Sequence, residues 1–173
     1  MSKKIASRKK PKEPMPSVVT IEEKIREEVE SIINFCTQEQ ETENFFTLEK
    51  KLHVRLSQLG CLFLQLLLIH FQENFDYSTM LRSGLYYMGE NVPRTLKTIC
   101  GEVRYWRDYV MIKDQKGGGF YPLDRSIGLT KDGFSPLVVS LATKLATRVS
   151  FSVSVLLCKC FYGWSPSSEA IQT

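Results

Sequence analysis

Thr98-Ile99-Cys100-Gly101-Glu102-Val103-Arg104-Tyr105-Trp106-Arg107-Asp108-Tyr109-Val110-Met111-Ile112 is the stretch on which the fold turns. Successive side chains of an extended chain point to opposite faces. Val103, Tyr105, Arg107, Tyr109 and Met111 therefore share one side, and Arg104, Trp106, Asp108 and Val110 the other. Residues 95–99 are short and β-prone, and Cys100-Gly101 suits a tight turn, so the spacing predicts a hairpin. The glycine-rich residues 113–119 reverse the chain again. Phe120-Tyr121-Pro122-Leu123 is then expected to add a third strand at an edge, where a proline costs no ladder bond.

Upstream the period changes from two to three and four. Thr20 and Glu23 have the spacing of a capping box, and Ile21, Ile25, Val29, Ile32 and Ile33 follow at helical intervals. Glu22, Glu23, Glu27, Glu28 and Glu30 fill the opposite face, and the helix is expected to end near Cys36. A second amphipathic run covers about residues 47–75, with Leu48, Leu52, Leu56, Leu59, Phe63, Leu66, Leu67 and Phe71 on one side despite Gly60. Two such helices suit an antiparallel hairpin, or a pair that lends its stripe to a second copy of the chain. His53 and His70 sit too far apart on the one helix to share a metal, and both read as structural or solvated.

Downstream, Ser135-Pro136 places a capping hydroxyl before a proline at the first helical position. Leu137, Val138, Leu141, Leu145 and Val149 give that helix its apolar face. A second helix is expected from Ser150 or Phe151 to Phe161, closed by Gly163, and Ser165-Pro166 begins a third. Helix, short turn, helix is the arrangement that lays a recognition helix in a major groove, with Ser165, Ser167, Ser168, Glu169 and Gln172 at the positions nearest base edges. Cys158 and Cys160 are one residue apart, which is no zinc spacing. The expected fold class is α+β, mostly α. It comprises a basic tail (1–19), a helical region (20–90), a small β unit (91–134) and a helix-turn-helix-like region (135–173).

Composition allows all of this to fold, with 43% hydrophobic and 11% aromatic residues. The net charge of +4 conceals an asymmetry. Residues 1–13 carry six Lys or Arg against one acid, residues 14–90 six against twelve, and residues 91–173 eleven against six. Local basic density is what attracts phosphate, so double-stranded DNA is the expected partner of both ends. The tail reads equally as a solubilising leader or as a sliding contact on phosphates. In the β unit, Arg94, Lys97, Arg104 and Arg107 stand beside Tyr105, Trp106 and Tyr109, a mixture in which guanidinium groups hold phosphates and rings pack on sugars or bases. An ordinary half-exposed hairpin also carries aromatics inward and arginines outward. Five scattered cysteines and no secretory apolar region imply a reduced cytoplasm, and residues 59–69 are too short an apolar run to span a bilayer, so no membrane segment is expected. No motif sets a histidine beside a cysteine, which disfavours a thiol enzyme.

In order along the chain, Thr98-Ile99-Cys100-Gly101-Glu102-Val103, Arg107-Asp108-Tyr109, Gly119-Phe120-Tyr121-Pro122-Leu123-Asp124, Gly128-Leu129, Ser135-Pro136 and Ser150-Phe151 resemble the N-terminal region of insertion-sequence transposases of the ISKra type. The likeness covers roughly the second half of the chain. It implies that residues 95–173 recognise the ends of a mobile element. It also implies that the three acidic catalytic residues of that family, with their two divalent metal ions, lie beyond Thr173, so the chain itself is expected to hold no catalytic residue, cofactor, metal or small-molecule substrate. Many relatives carry a Cys-x-x-Cys pair in the hairpin, whereas residues 110–118 here contain no cysteine. Asp108, Asp114, Asp124 and Asp132 have no paired spacing for a metal-dependent nuclease, and Asp124 reads as a cap of the turn or helix that follows. The alternative reading is a helical protein-interaction module with no DNA role.

Overall fold

The computed structural model describes residues 14–38, 43–78, 85–112 and 118–162. The first helix, α1 (Val18–Thr37), begins earlier than the Thr20–Glu23 pair suggests, because Ser17 is its cap. The Ser17 hydroxyl accepts from the Thr20 amide at 3.2 Å and shares a 2.8 Å bond with the Thr20 hydroxyl. Val18 and Val19 are tolerated in that first turn, where no preceding turn crowds a β-branched side chain. The second helix, α2 (Phe45–Glu73), is capped by Asn44, whose Oδ1 accepts from both the amide and the hydroxyl of Thr47 at 2.9 Å.

Burial joins the two helices. Ile21 and Ile25 form one buried cluster with Ile69, and Val29, Leu59, Leu62 and Leu66 pack against it. At the other end, Arg55 of α2 donates to Ser31 Oγ at 2.7 Å and lies over the Phe35 ring at 5.2 Å. The start of α1 thus meets the end of α2. The 29 residues of α2 are long and apolar enough to cross a membrane, although Leu68, Ile69 and Gln72 are buried against protein.

Among the described residues the sheet has two antiparallel strands, β1 (Leu85–Thr98) and β2 (Gly101–Ile112). Leu96 pairs with Val103, Arg94 with Tyr105 and Val92 with Arg107. The turn falls on Ile99 and Cys100, and Gly101 opens β2 at φ +133, a conformation that favours glycine. Thr98 closes it, its hydroxyl donating to the Gly101 carbonyl at 2.8 Å and accepting from the Cys100 amide at 3.2 Å. The strand β1 starts at Leu85, inside the region expected to be helical. Its register shifts on either side of Gly89, where Asn91 adopts φ +50 and its amide donates to Asp108 Oδ1 at 2.8 Å. Such a bulge breaks the alternation that marks a strand in sequence.

The expected third strand is replaced by one bridge. Phe120 exchanges two backbone hydrogen bonds with Val110, at 3.0 and 2.9 Å, and Pro122 then starts a short helix, α3 (Pro122–Ser126). Proline has no amide for a ladder but fits the first helical position, so the chain turns away from the sheet. It returns along the outer edge of β1. There the Lys97 amide donates to the Gly133 carbonyl at 2.7 Å, and the Ser135 amide to the Lys97 carbonyl at 2.9 Å.

Helix α4 (Pro136–Ala146) is capped by Ser135, whose hydroxyl accepts from the Val138 amide at 3.3 Å. Helix α5 (Phe151–Tyr162) follows, with Ser154 and Cys158 buried. Gly163 and the expected recognition helix, with Ser165, Ser167, Ser168, Glu169 and Gln172, lie outside the described residues. The main core gathers Leu68 of α2, Leu96 and Val103 of the strands, Tyr105 and Leu123 of α3.

Candidate nucleic-acid interface

Strand parity decides where the cations go. Tyr105 and Arg107 lie on the β2 face that packs on α2 and α3, together with Arg94 across the ladder. All three meet Asp124 in the first turn of α3. Arg94 donates through Nη1 to Asp124 Oδ2 at 2.8 Å and through Nη2 to the Thr130 carbonyl at 2.5 Å. Arg107 forms a second ion pair with the same Oδ2. The Tyr105 hydroxyl, fully buried, donates to Asp124 Oδ1 at 2.7 Å. Asp124 is therefore an ion-pair hub, not the cap that its position suggested; the cap position of α3 is Tyr121, which makes no side-chain cap bond.

The hub lies in a low-dielectric setting. The side chains of Arg94, Arg107 and Asp124 are each only 10–12% exposed. Burial pulls the Arg107 guanidinium below its usual range, and the neighbouring Arg94 charge adds to this, while burial pushes the Tyr105 phenol up. Arg107 also stacks on the Tyr121 ring at 3.4 Å. Its Nε is buried without a hydrogen-bond partner.

Arg104 and Lys97 are placed differently. Arg104 lies on the opposite face of β2, is exposed, and sits 5.9 Å from the Trp106 ring. Lys97 is half-buried at the β1 edge, 5.7 Å from the Phe134 ring. The four cations expected to meet DNA thus divide: Arg94 and Arg107 turn inward to one carboxylate, Arg104 turns outward, and Lys97 lies half-buried at the edge of β1. Sequence reasoning missed Arg125 and Lys131, both exposed, which line a cavity of about 400 Å³ with Arg94, Arg107, Tyr121 and Asp124. The one available signal was the shared parity of Tyr105 and Arg107, which puts a cation on the face of a buried tyrosine.

A larger open cleft, about 1040 Å³, lies between α2, the hairpin turn and α5, where Cys61, Cys100, Cys160 and His53 all line the wall. Burial, with Cys100 beside it, pushes the Cys61 thiol up to about 11, the reverse of what a thiolate nucleophile requires. Among the described residues no group of three or more His, Cys, Asp or Glu could hold a metal ion. Compared with protein-family models, curated proteins and solved structures, the chain has no significant match to any of them.

Proposed function

We propose that the chain is the DNA-binding N-terminal part of a transposase of the ISKra type, engaging the ends of a bacterial insertion element for transposition. The observation that carries this reading is the outward charge of the second half. Among described residues from 91 to 162, Arg104, Arg125, Lys131, Lys144, Arg148 and Lys159 are exposed, against Glu102 and Asp132; the other two acids, Asp108 and Asp124, are buried. Folding hides these two carboxylates, so exposed cations outnumber exposed acids on the surface that would meet phosphate. The ordered motifs from Thr98 to Ser150 support the family likeness, and α5, the expected first helix of the pair completed from Ser165, is consistent with the helix-turn-helix reading. Arg94 and Arg107 enter it as residues that position the hairpin.

A salt titration of binding to element-end DNA and to random DNA tests the proposal. Taking one cation away from a phosphate should flatten the slope of log affinity against log salt by about 0.9. Arg104→Ala and the pair Lys144→Ala with Arg148→Ala are expected to weaken binding and flatten that slope. Unchanged slopes, or equal retention on heparin before and after the changes, would defeat it.

A second reading is favoured by a specific observation. Phe45, Phe46, Val54, Leu56, Phe63, Leu67 and Phe71 of α2 are all more than 40% exposed. Contiguous exposed apolar side chains mark contact surfaces. On this reading the chain is a helical interaction module, and it would associate with protein in the absence of DNA.

A further inference from the structure

The cavity beside the hub has a charge imbalance of its own, of which the duplex reading counts only Arg125 and Lys131. Its wall contains two guanidinium groups that share one carboxylate oxygen of Asp124, whose other oxygen is taken by Tyr105. One unit of positive charge is left there uncompensated. Arg125, stacked on the Phe120 ring at 4.0 Å, and Lys131 add two more at the mouth, while Asp132 does not line the cavity. At about 400 Å³ it falls in the range of roughly 300–1,000 Å³ that small ligands occupy. It is too small to admit a duplex.

We infer that this cavity is a binding site for a phosphate monoester dianion, held between the Arg94–Arg107 wall and the side chains of Arg125 and Lys131. Guanidinium forks match the oxygens of a tetrahedral oxyanion, and an ammonium adds a point charge. A dianion offsets most of the three surplus positive charges, which a carboxylate would not. Arg107 already stacks on the Tyr121 ring at 3.4 Å and Arg125 on the Phe120 ring at 4.0 Å, so each ring of the wall already has a cation over one face. The inference shares Arg125 and Lys131 with the duplex reading but can be told apart from it, because Arg104, Lys144 and Arg148 do not line the cavity.

Calorimetric titration of the full chain with ethyl phosphate at constant ionic strength tests it, with ethyl sulfate as the monoanionic control. Saturable one-to-one binding is expected, tightening between pH 5 and 7 as the ester loses its second proton near pH 6. The double variant Arg125→Gln, Lys131→Gln, exposed at both positions and checked for retained helicity, should bind at least tenfold more weakly. Arg104→Ala should bind ethyl phosphate unchanged even where its duplex binding is lost. Non-saturable binding, equal affinity for ethyl sulfate, or no loss in the double variant would overturn the site. Inorganic phosphate and a 5′-phosphorylated oligonucleotide, compared with its 5′-hydroxyl form, then divide a free anion from a strand end as the source.

Discussion

The α1–α2 pair and the β1–β2–α3 unit solve the same problem with opposite materials. The helices are held by aliphatic side chains, Ile21 and Ile25 against Ile69, and leave much of α2 uncovered. The hairpin unit closes around charge, with Arg94 from β1 and Tyr105 and Arg107 from β2 converging on Asp124. Aliphatic contacts are non-directional and tolerate an open flank. A buried ionic hub tolerates little, because each partner removed strands the others away from water.

That contrast sets the order of expected effects. Asp124→Ala leaves two buried guanidinium groups without their carboxylate and should cost about 3–5 kcal/mol in chemical denaturation. A cost below about 1 kcal/mol would mean that the hub does not organise the unit. Ile69→Ala removes the side chain on which α1 rests and should cost about 2–5 kcal/mol, with loss of helical signal from α1. Tyr105→Phe deletes only the hydroxyl bonded to Asp124 and should cost about 1.5–3 kcal/mol, since the acceptor is charged. Phe63→Ser, on the open side of α2, should change stability by no more than about 0.5 kcal/mol. If it costs as much as Ile69→Ala, α2 is covered in solution and the contrast between the two regions fails.

The same contrast explains what could be read in advance. Local signals were legible: the Ser135-Pro136 start of α4, the alternation from Val103 to Met111, and the spacing of Ile21, Ile25 and Val29 in α1. Of the strand β1 only residues 95–98 were legible; its first part was not, because Gly89, Asn91 and Pro93 interrupt the alternation and what holds the bulge is the side chain of Asp108, seventeen residues away. The third strand failed on proline chemistry that serves an edge strand and a helix start alike. The hub was hidden because Arg94 and Asp124 are thirty residues apart and meet only when the chain folds back over the sheet. Arginine beside aromatic residues reads as a nucleic-acid surface, yet parity sends Arg107 inward and Arg104 outward.

The single bridge between Val110 and Phe120 has a use in engineering. It clamps the two ends of the glycine-rich connection, and a side chain at Gly119 would run into the Val110 carbonyl, so the clamp itself admits no change. Gly119→Ala is therefore expected to unlatch Phe120 from the edge of β2, which makes this one position a handle for detaching α3 from the sheet.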